Sequence, residues 1–273
     1  MRHIGGITMI KDITIGQYIP GESFVHKLDP RLKILISLLF IVDLFLVNNF
    51  EGYLFIIIFI VTTILIAKLS FKYIYNGLKP ILVLLLITAV LNIFMTSGKE
   101  LIFQWKFISV YKEGLMIAAF MIIRLVFLIM GTSILTLTTS PIELTDGIEK
   151  LLNPFKRIGV PAHELAMMMT IALRFIPTLM DETDKIMKAQ MARGADFESG
   201  NLISRAKSLI PILVPLFISS FRRADELAMA MESRCYKGGE GRTRMKQLKI
   251  TNKDYIASFV FTLLFIITIV SRT

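Results

Sequence analysis

The sequence predicts an all-α membrane protein with about five transmembrane helices and a cytoplasmic region of about three helices, two of them long. Three observations predict it. Of the 273 residues 54% are hydrophobic, well above what one soluble core requires. Five apolar stretches approach the roughly 20 residues a helix needs to cross about 30 Å of hydrocarbon, with about 17 as the lower limit. Lysine and arginine collect on alternate sides of those stretches, as they do on cytoplasmic flanks.

The stretches run from Leu32 to Val47, Tyr53 to Ala67, Leu78 to Met95, Leu115 to Leu137 and Tyr255 to Val270. The first two are slightly short and need flanking residues. Lys27, Arg31 and Lys33 stand at the start of the first span, and Lys68, Lys72 and Lys79 lie between the second and third. Both regions are therefore expected in the cytoplasm. The Asn48 to Gly52 turn carries only Glu51, and the Thr96 to Glu113 loop mixes Lys99, Lys106 and Lys112 with Glu100 and Glu113. Those are expected outside. The basic region from Ser140 to Lys253 then lies inside with the N-terminus, and the last helix leaves Thr273 outside. Three segments follow: 1–139 with the N-terminal cytoplasmic segment and four spans, 140–252 with the cytoplasmic helices, and 253–273 with the last span.

The formal charge of +10 belongs to cytoplasmic loops beside anionic lipid rather than to a nucleic-acid site. The single cysteine, Cys235, excludes an internal disulfide framework, and no Cys/His spacing fits zinc. The first apolar run begins only after Arg31 and lacks a small-residue cleavage site, so the N-terminal segment is expected to stay in the mature chain.

The cytoplasmic region opens at Thr138-Thr139-Ser140-Pro141, where serine caps and proline suits a first helical position. A short helix from Ile142 to Leu152 follows, ended by Asn153-Pro154. A second helix extends from Pro161 to Ala192, about 45 Å at 1.5 Å per residue. Its first half, Leu165 to Met180, is apolar apart from Arg174 and contains Pro177. Its second half, Asp181 to Met191, pairs Asp181 with Lys185 and Asp184 with Lys188 four residues apart, and it stops at Ala192-Arg193-Gly194. The third helix repeats this plan: Ser208 to Ser219 is apolar with Pro211 and Pro215, Arg222 to Glu232 is charged, and Ser233-Arg234-Cys235 ends it before Gly238-Gly239.

Two long helices thus share an apolar half, a polar half and an arginine among small residues at the tip. This suits a transmission element, its apolar half at the membrane interface and its polar half projecting towards a soluble partner. Small neighbours allow close backbone approach, and a guanidinium offers five donors to carboxylates or carbonyls. The alternative is that Arg193 and Arg234 only compensate helix dipoles, an effect of about 0.3–1 kcal/mol; their recurrence in matching contexts favours docking. Met167, Met168, Met169, Met180, Met187, Met191, Met229 and Met231 suit a surface that repacks against several partners, and suit core filling equally.

No Gly-rich loop with Lys-Ser/Thr cradles a nucleotide. Gly238-Gly239-Glu240-Gly241-Arg242 follows no strand and reads as a turn. His3, His26 and His163 join no metal or proteolytic motif, so no catalytic residue, metal ligand or cofactor of the chain's own is expected. Asp43 and Arg124 are costly in hydrocarbon. Asp43 is placed near the outer end within reach of the interface; Arg124 is expected to face protein, towards a carbonyl or Asp43, in a structural role.

Several motifs together resemble one family. They are Gly16-Gln17-Tyr18-Ile19-Pro20-Gly21, His26-Lys27-Leu28-Asp29-Pro30-Arg31, Thr139-Ser140-Pro141, Leu173-Arg174-Phe175-Ile176-Pro177 and Ala189-Gln190-Met191-Ala192-Arg193-Gly194. The chain resembles, over nearly its whole length, the T component of energy-coupling factor transporters, the transmembrane coupling subunit of importers for vitamins and some metal ions. The resemblance implies two coupling helices ending in arginine-centred tripeptides that dock into two cytoplasmic ATPases. Here those match Ala192-Arg193-Gly194 and Ser233-Arg234-Cys235, the second with cysteine where glycine is frequent. It also implies an exchangeable solute-binding membrane subunit, carried on apolar faces that include Met167, Met168, Phe175 and Leu213, with ATP bound by the partner subunits. The equivalent subunit of a cobalt or nickel importer is a second reading. An intramembrane enzyme would need paired acids, a nucleophile with a base, or a metal cluster in the spans, none of which the sequence offers.

Overall fold

The computed structural model describes residues 18–96, 98, 100–105, 108–197, 201–239 and 247–271. Gly16-Gln17, Lys99, Lys106, Glu240-Gly241-Arg242 and Thr273, which carry parts of the sequence reading, lie outside the described residues. Among those described, α-helices dominate and one short hairpin accompanies them. The chain divides into two compact units, one formed by Gly16–Ile148 with Gln247–Thr273 and the other centred on Glu149–Lys246.

The first unit holds the apolar helices. α1 (Pro30–Leu46) starts with Asp29 as N-cap, its carboxylate accepting from the Arg31 N–H, and with Pro30 in the first turn, where a missing N–H loses nothing. α2 (Phe50–Ala67) stops at Lys68, which turns left-handed at φ 54°. α3 (Phe71–Leu78) and α4 (Leu82–Met95) form one helical run broken by a 3-10 turn over Lys79–Ile81. The third span therefore begins at Phe71, earlier than the Leu78 expected: Pro80 tightens one turn instead of opening the helix. α5 (Lys112–Thr138) and α10 (Asn252–Val270) complete the set. Phe50–Ala67, Phe71–Met95, Lys112–Thr138 and Asn252–Val270 are long and apolar enough to cross a membrane, and α1, at 17 residues, lies at the lower limit of about 17. The loop before α5 contains an antiparallel hairpin of β1 (Leu101–Trp105) and β2 (Ile108–Tyr111), whose aromatic and β-branched composition favours strands.

α5 packs against α1, α2, α3 and α4, and α10 packs against α1 and α2. Burial on α2 is confined to a stripe: Tyr53, Ile56, Ile60, Ile64 and Ala67 are buried, while Leu54, Ile58, Val61 and Leu65 are exposed. A helix apolar all round with one buried stripe is what lipid solvation of the remaining faces permits.

Three segments distant in sequence meet in a buried polar knot at one end of this unit. Lys33 Nζ donates to the His26 carbonyl (3.1 Å), the Thr138 carbonyl (3.0 Å) and Thr139 Oγ1 (3.2 Å). The Asp29 N–H donates to Asp254 Oδ1 at 2.7 Å, and Asp254 Oδ2 closes the α10 capping box with Thr251. His26 Nε2 faces the Ile19 carbonyl at 3.0 Å, so it carries the proton and Nδ1 accepts from the Ser23 hydroxyl at 2.6 Å. Burial holds the His26 imidazole below its ordinary pKa. Burial opposes ionisation of Asp29, but the hydrogen bonds and charge of Arg31 outweigh it and hold that carboxyl below the usual range. Lys33, expected as a flanking charge, is only 6% exposed, because three backbone and side-chain oxygens replace its water.

Candidate functional site

α6 (Pro141–Leu152) begins as the sequence suggests, with Pro141 in its first turn and the Glu143 N–H donating to Ser140 Oγ at 3.2 Å. After a 3-10 turn over Asn153–Ile158, α7 (Ala162–Ala192) runs for 31 residues through Pro177. α8 (Leu202–Ser208) precedes α9 (Ile210–Ser233). The second long helix thus starts at Ile210 rather than Ser208, with Pro211 in the first turn where proline fits, and tolerates Pro215 inside.

The two helix ends are congruent. Arg193 caps α7 at φ −90°, ψ 7°, and Arg234 caps α9 at φ −92°, ψ 12°. Each is followed by a left-handed residue, Gly194 at φ +88° and Cys235 at φ +55°. At the first end the Ala195 N–H reaches the Gln190 carbonyl (3.0 Å) and the Gly194 N–H the Met191 carbonyl (3.0 Å); at the second, Tyr236 reaches Met231 (3.0 Å) and Cys235 reaches Glu232 (2.8 Å). Both are Schellman caps, in which two of the last carbonyls are satisfied by the turning chain. Ala192, Arg193, Gly194, Ser233, Arg234 and Cys235 are all exposed, and among the described residues neither guanidinium has a side-chain partner.

Two contacts set the direction of the helices. His163, in the first turn of α7, lies 3.2 Å from the Tyr236 hydroxyl, just beyond the α9 tip, and 3.2 Å from Glu149 Oε1. Further along α7, Glu182 accepts from the Ser219 hydroxyl and, at 2.8 Å, from Arg223 Nη2. α7 and α9 are therefore antiparallel. The α9 tip sits at the start of α7, while Arg193 is about 45 Å along that helix at 1.5 Å per residue. The sequence left their relative direction open: each polar half lies beside the other's apolar half, and the arginines stand at opposite ends of the pair. Glu182, Ser219 and Arg223 were not singled out from sequence, although Ser219 and Arg223 are four apart and so share a face. The Ser219 hydroxyl, together with Arg223, holds the Glu182 carboxyl below its ordinary range despite partial desolvation.

Of the residues expected to meet a membrane partner, Met168 and Leu213 are 55% and 56% exposed, whereas Met167 and Phe175 are half-buried. Leu213 heads an exposed stripe with Phe217 and Phe221, whose rings meet edge-on at 4.6 Å.

Arg124 faces protein as expected. It donates to the Val47 carbonyl and Asn48 Oδ1, both at 3.2 Å, and lies over the Phe45 ring. Asp43 is not its partner and does not reach the interface. It is fully buried, and its Oδ1 accepts from Thr268 Oγ1 of α10 at 2.6 Å.

Residues 21–245 match the family described as cobalt transport protein, CbiQ. The chain is 74% identical over 265 residues to an energy-coupling factor transporter transmembrane protein EcfT of Clostridium kluyveri, covering 97% of this chain and 98% of that one. It is 60% identical over 263 residues to the protein of that name from Thermosediminibacter oceani, covering 96% and 99%. It is 52% identical over 246 residues to that of Bacillus subtilis, covering 90% and 93%. At this similarity over nearly its whole length, the chain belongs to the cobalt transport protein family, among the T components of energy-coupling factor transporters.

Proposed function

We propose that Arg193 and Arg234 anchor two cytoplasmic ATPases, one at each end of the α7–α9 pair, and that these helices convey ATPase movement to a separate membrane subunit that binds a vitamin or other micronutrient. The supporting observation is the pair of congruent, exposed arginine caps, without a side-chain partner among the described residues, at opposite ends of two antiparallel helices. One helix pair then spans two docking grooves. The chain itself is non-catalytic and needs no cofactor; ATP is bound and hydrolysed by the partners. Met167, Met168, Phe175 and Leu213 face the solute-binding subunit, and Asp43 and Arg124 are structural. The N-terminus and the 140–252 region are cytoplasmic, and the Asn48 to Gly52 turn and the C-terminus are external, as the lysine and arginine asymmetry requires. A second reading, coupling in a cobalt or nickel importer, draws on the description of the matching family.

The test is alanine at Arg193 and Arg234, singly and together, at matched membrane abundance. Anchors buried in partner grooves would strand carboxylates or carbonyls at a cost of about 2–5 kcal/mol per site, so each single variant weakens ATPase retention and the double variant abolishes it along with uptake. Lysine restores part, since it keeps the charge and loses the planar fork. Wild-type retention in the double variant would reduce both arginines to helix-end charges.

A further inference from the structure

The first unit encloses a partly open cavity of about 490 Å³ between α1, α2, α5 and α10, within the roughly 300–1,000 Å³ of small-molecule sites. Its walls include Phe40, Phe59, Ile134 and Val260. The Phe40 ring lies so close over Gly131 that a Cβ there would stand 2.4 Å from it, so the glycine lets the ring close one side. Three of the polar groups in the wall are engaged elsewhere. Lys33 donates its three hydrogens to oxygens of the polar knot, Thr63 donates to the Phe59 carbonyl and Thr138 to the Ile134 carbonyl. Apart from the Ser37 and Thr62 side chains, the cavity therefore presents mainly hydrocarbon to whatever fills it.

A void this large and this apolar forfeits dispersion contacts along its whole lining and does not hold water. It lies among helices apolar enough to span, where lipid chains are the surrounding solvent. The helix ends that frame it supply charge: Lys68 follows the wall residue Ile66 at the end of α2, and Lys253 precedes the wall residue Ile256 at the start of α10. Both lysines are exposed and without a side-chain partner among the described residues. Cations at that depth attract anionic headgroups.

We propose that this cavity is a phospholipid site: one acyl chain enters between the helices, and an anionic headgroup of the adjacent leaflet is held by Lys68 and Lys253. The bound chain completes the packing of α1 against α2 and α10. The site concerns the membrane unit alone and stands whether or not the arginine caps dock ATPases.

The experiment uses the assembled transporter in vesicles of phosphatidylcholine and phosphatidylglycerol, with a photoreactive diazirine at the acyl terminus of either lipid. The phosphatidylglycerol probe should label wall peptides of α1 and α10. Ala257→Trp, which fills the cavity, should reduce that label to background while label on the lipid-facing Val83 segment persists. Lys68→Gln with Lys253→Gln should bring a preference of roughly tenfold for phosphatidylglycerol to near parity. Ser37→Leu narrows the same space more mildly and serves if Ala257→Trp does not fold. Wall label that survives a folded cavity-filling variant, or label confined to outward faces, overturns the site; equal wall labelling by both lipids in the unmodified protein overturns the role of the lysines.

Discussion

At the residue scale, the two tips differ most at one atom group. Gly194 turns left-handed freely, whereas Cys235 does so with a side chain, and a non-glycine residue in that conformation costs about 1–2 kcal/mol. Glycine returns part of this through the wider freedom of the unfolded chain, worth about 0.5–1 kcal/mol. Cys235→Gly should therefore stabilise the α9 cap by up to about 1 kcal/mol, read as slower hydrogen exchange at the amides of residues 235 and 236. Faster exchange would show that the cysteine side chain contributes a contact exceeding its strain. The unusual cysteine was visible in the sequence, since the corresponding tripeptide at the other tip ends in Gly194. The fates of Lys33 and Asp43 were not. A charge near a span end reads alike whether water or carbonyls solvate it, and the partner of Asp43 lies 225 residues away.

At the scale of elements, the repeated plan of α7 and α9 was legible in full: halves, prolines and tips recur in the sequence and reappear as matching helices with matching caps. Their antiparallel course was not, because amphipathic patterning fixes which face packs and leaves direction to tertiary contacts. The hairpin before α5 could have been found from the aromatic and β-branched run of Leu101 to Tyr111, and was overshadowed by loop length and charge. The Glu182 clamp is one of the two contacts that set the direction and spacing of the tips. The folded-state pKa of Glu182 lies below its ordinary 4.5, so the carboxylate contributes stability that is fully present above that value and is lost as pH falls through the lower, folded-state pKa. Between pH 5 and 8 the clamp should not respond to pH. Glu182→Ala should loosen it by about 1 kcal/mol, tempered by the partial exposure of the ion pair. Spin labels on Cys235 and on Ala195→Cys would read this as a broadened distance distribution centred on the order of 45 Å. An unchanged, narrow distribution would move the control of spacing to the apolar contacts between the helices.

For the whole molecule, the alternation of lysine-rich and lysine-poor ends agrees with the hydrogen bonds that order the membrane unit. Asp29 meets Asp254 and Asp43 meets Thr268, so α1 and α10 run in the same direction. α5 runs against them: its end delivers the Thr138 carbonyl to Lys33 near the start of α1, and its middle delivers Arg124 to the Val47 carbonyl beyond the end of α1. What the sequence could not convey is that α10 closes a unit begun by α1. Asn49 Nδ2 also holds the Ser271 carbonyl at 3.0 Å, so α10 is tied at both ends. A chain ending at Lys246 would strand the Asp29 N–H and leave the Asp43 carboxyl without its hydroxyl donor, at about 1–3 kcal/mol each. It would also lose the burial of Phe261 and Leu264, at about 1.5–3 kcal/mol each. That total is comparable with the 5–15 kcal/mol, or about that, by which ordinary domains are stable. The truncated chain should therefore be degraded or aggregate in the membrane, and residues 247–273 supplied as a separate polypeptide should restore it in part. Introducing Thr268→Val into the supplied helix should weaken the rescue, because it removes the hydroxyl that meets Asp43, while Thr262→Val, an exposed position whose hydroxyl donates to the Ser258 carbonyl of its own helix, should not. Abundance and detergent-extracted monodispersity of the two-part protein measure this. Normal folding of the chain ending at Lys246 would show that α10 is peripheral and that the buried carboxyl of Asp43 is accommodated by other means.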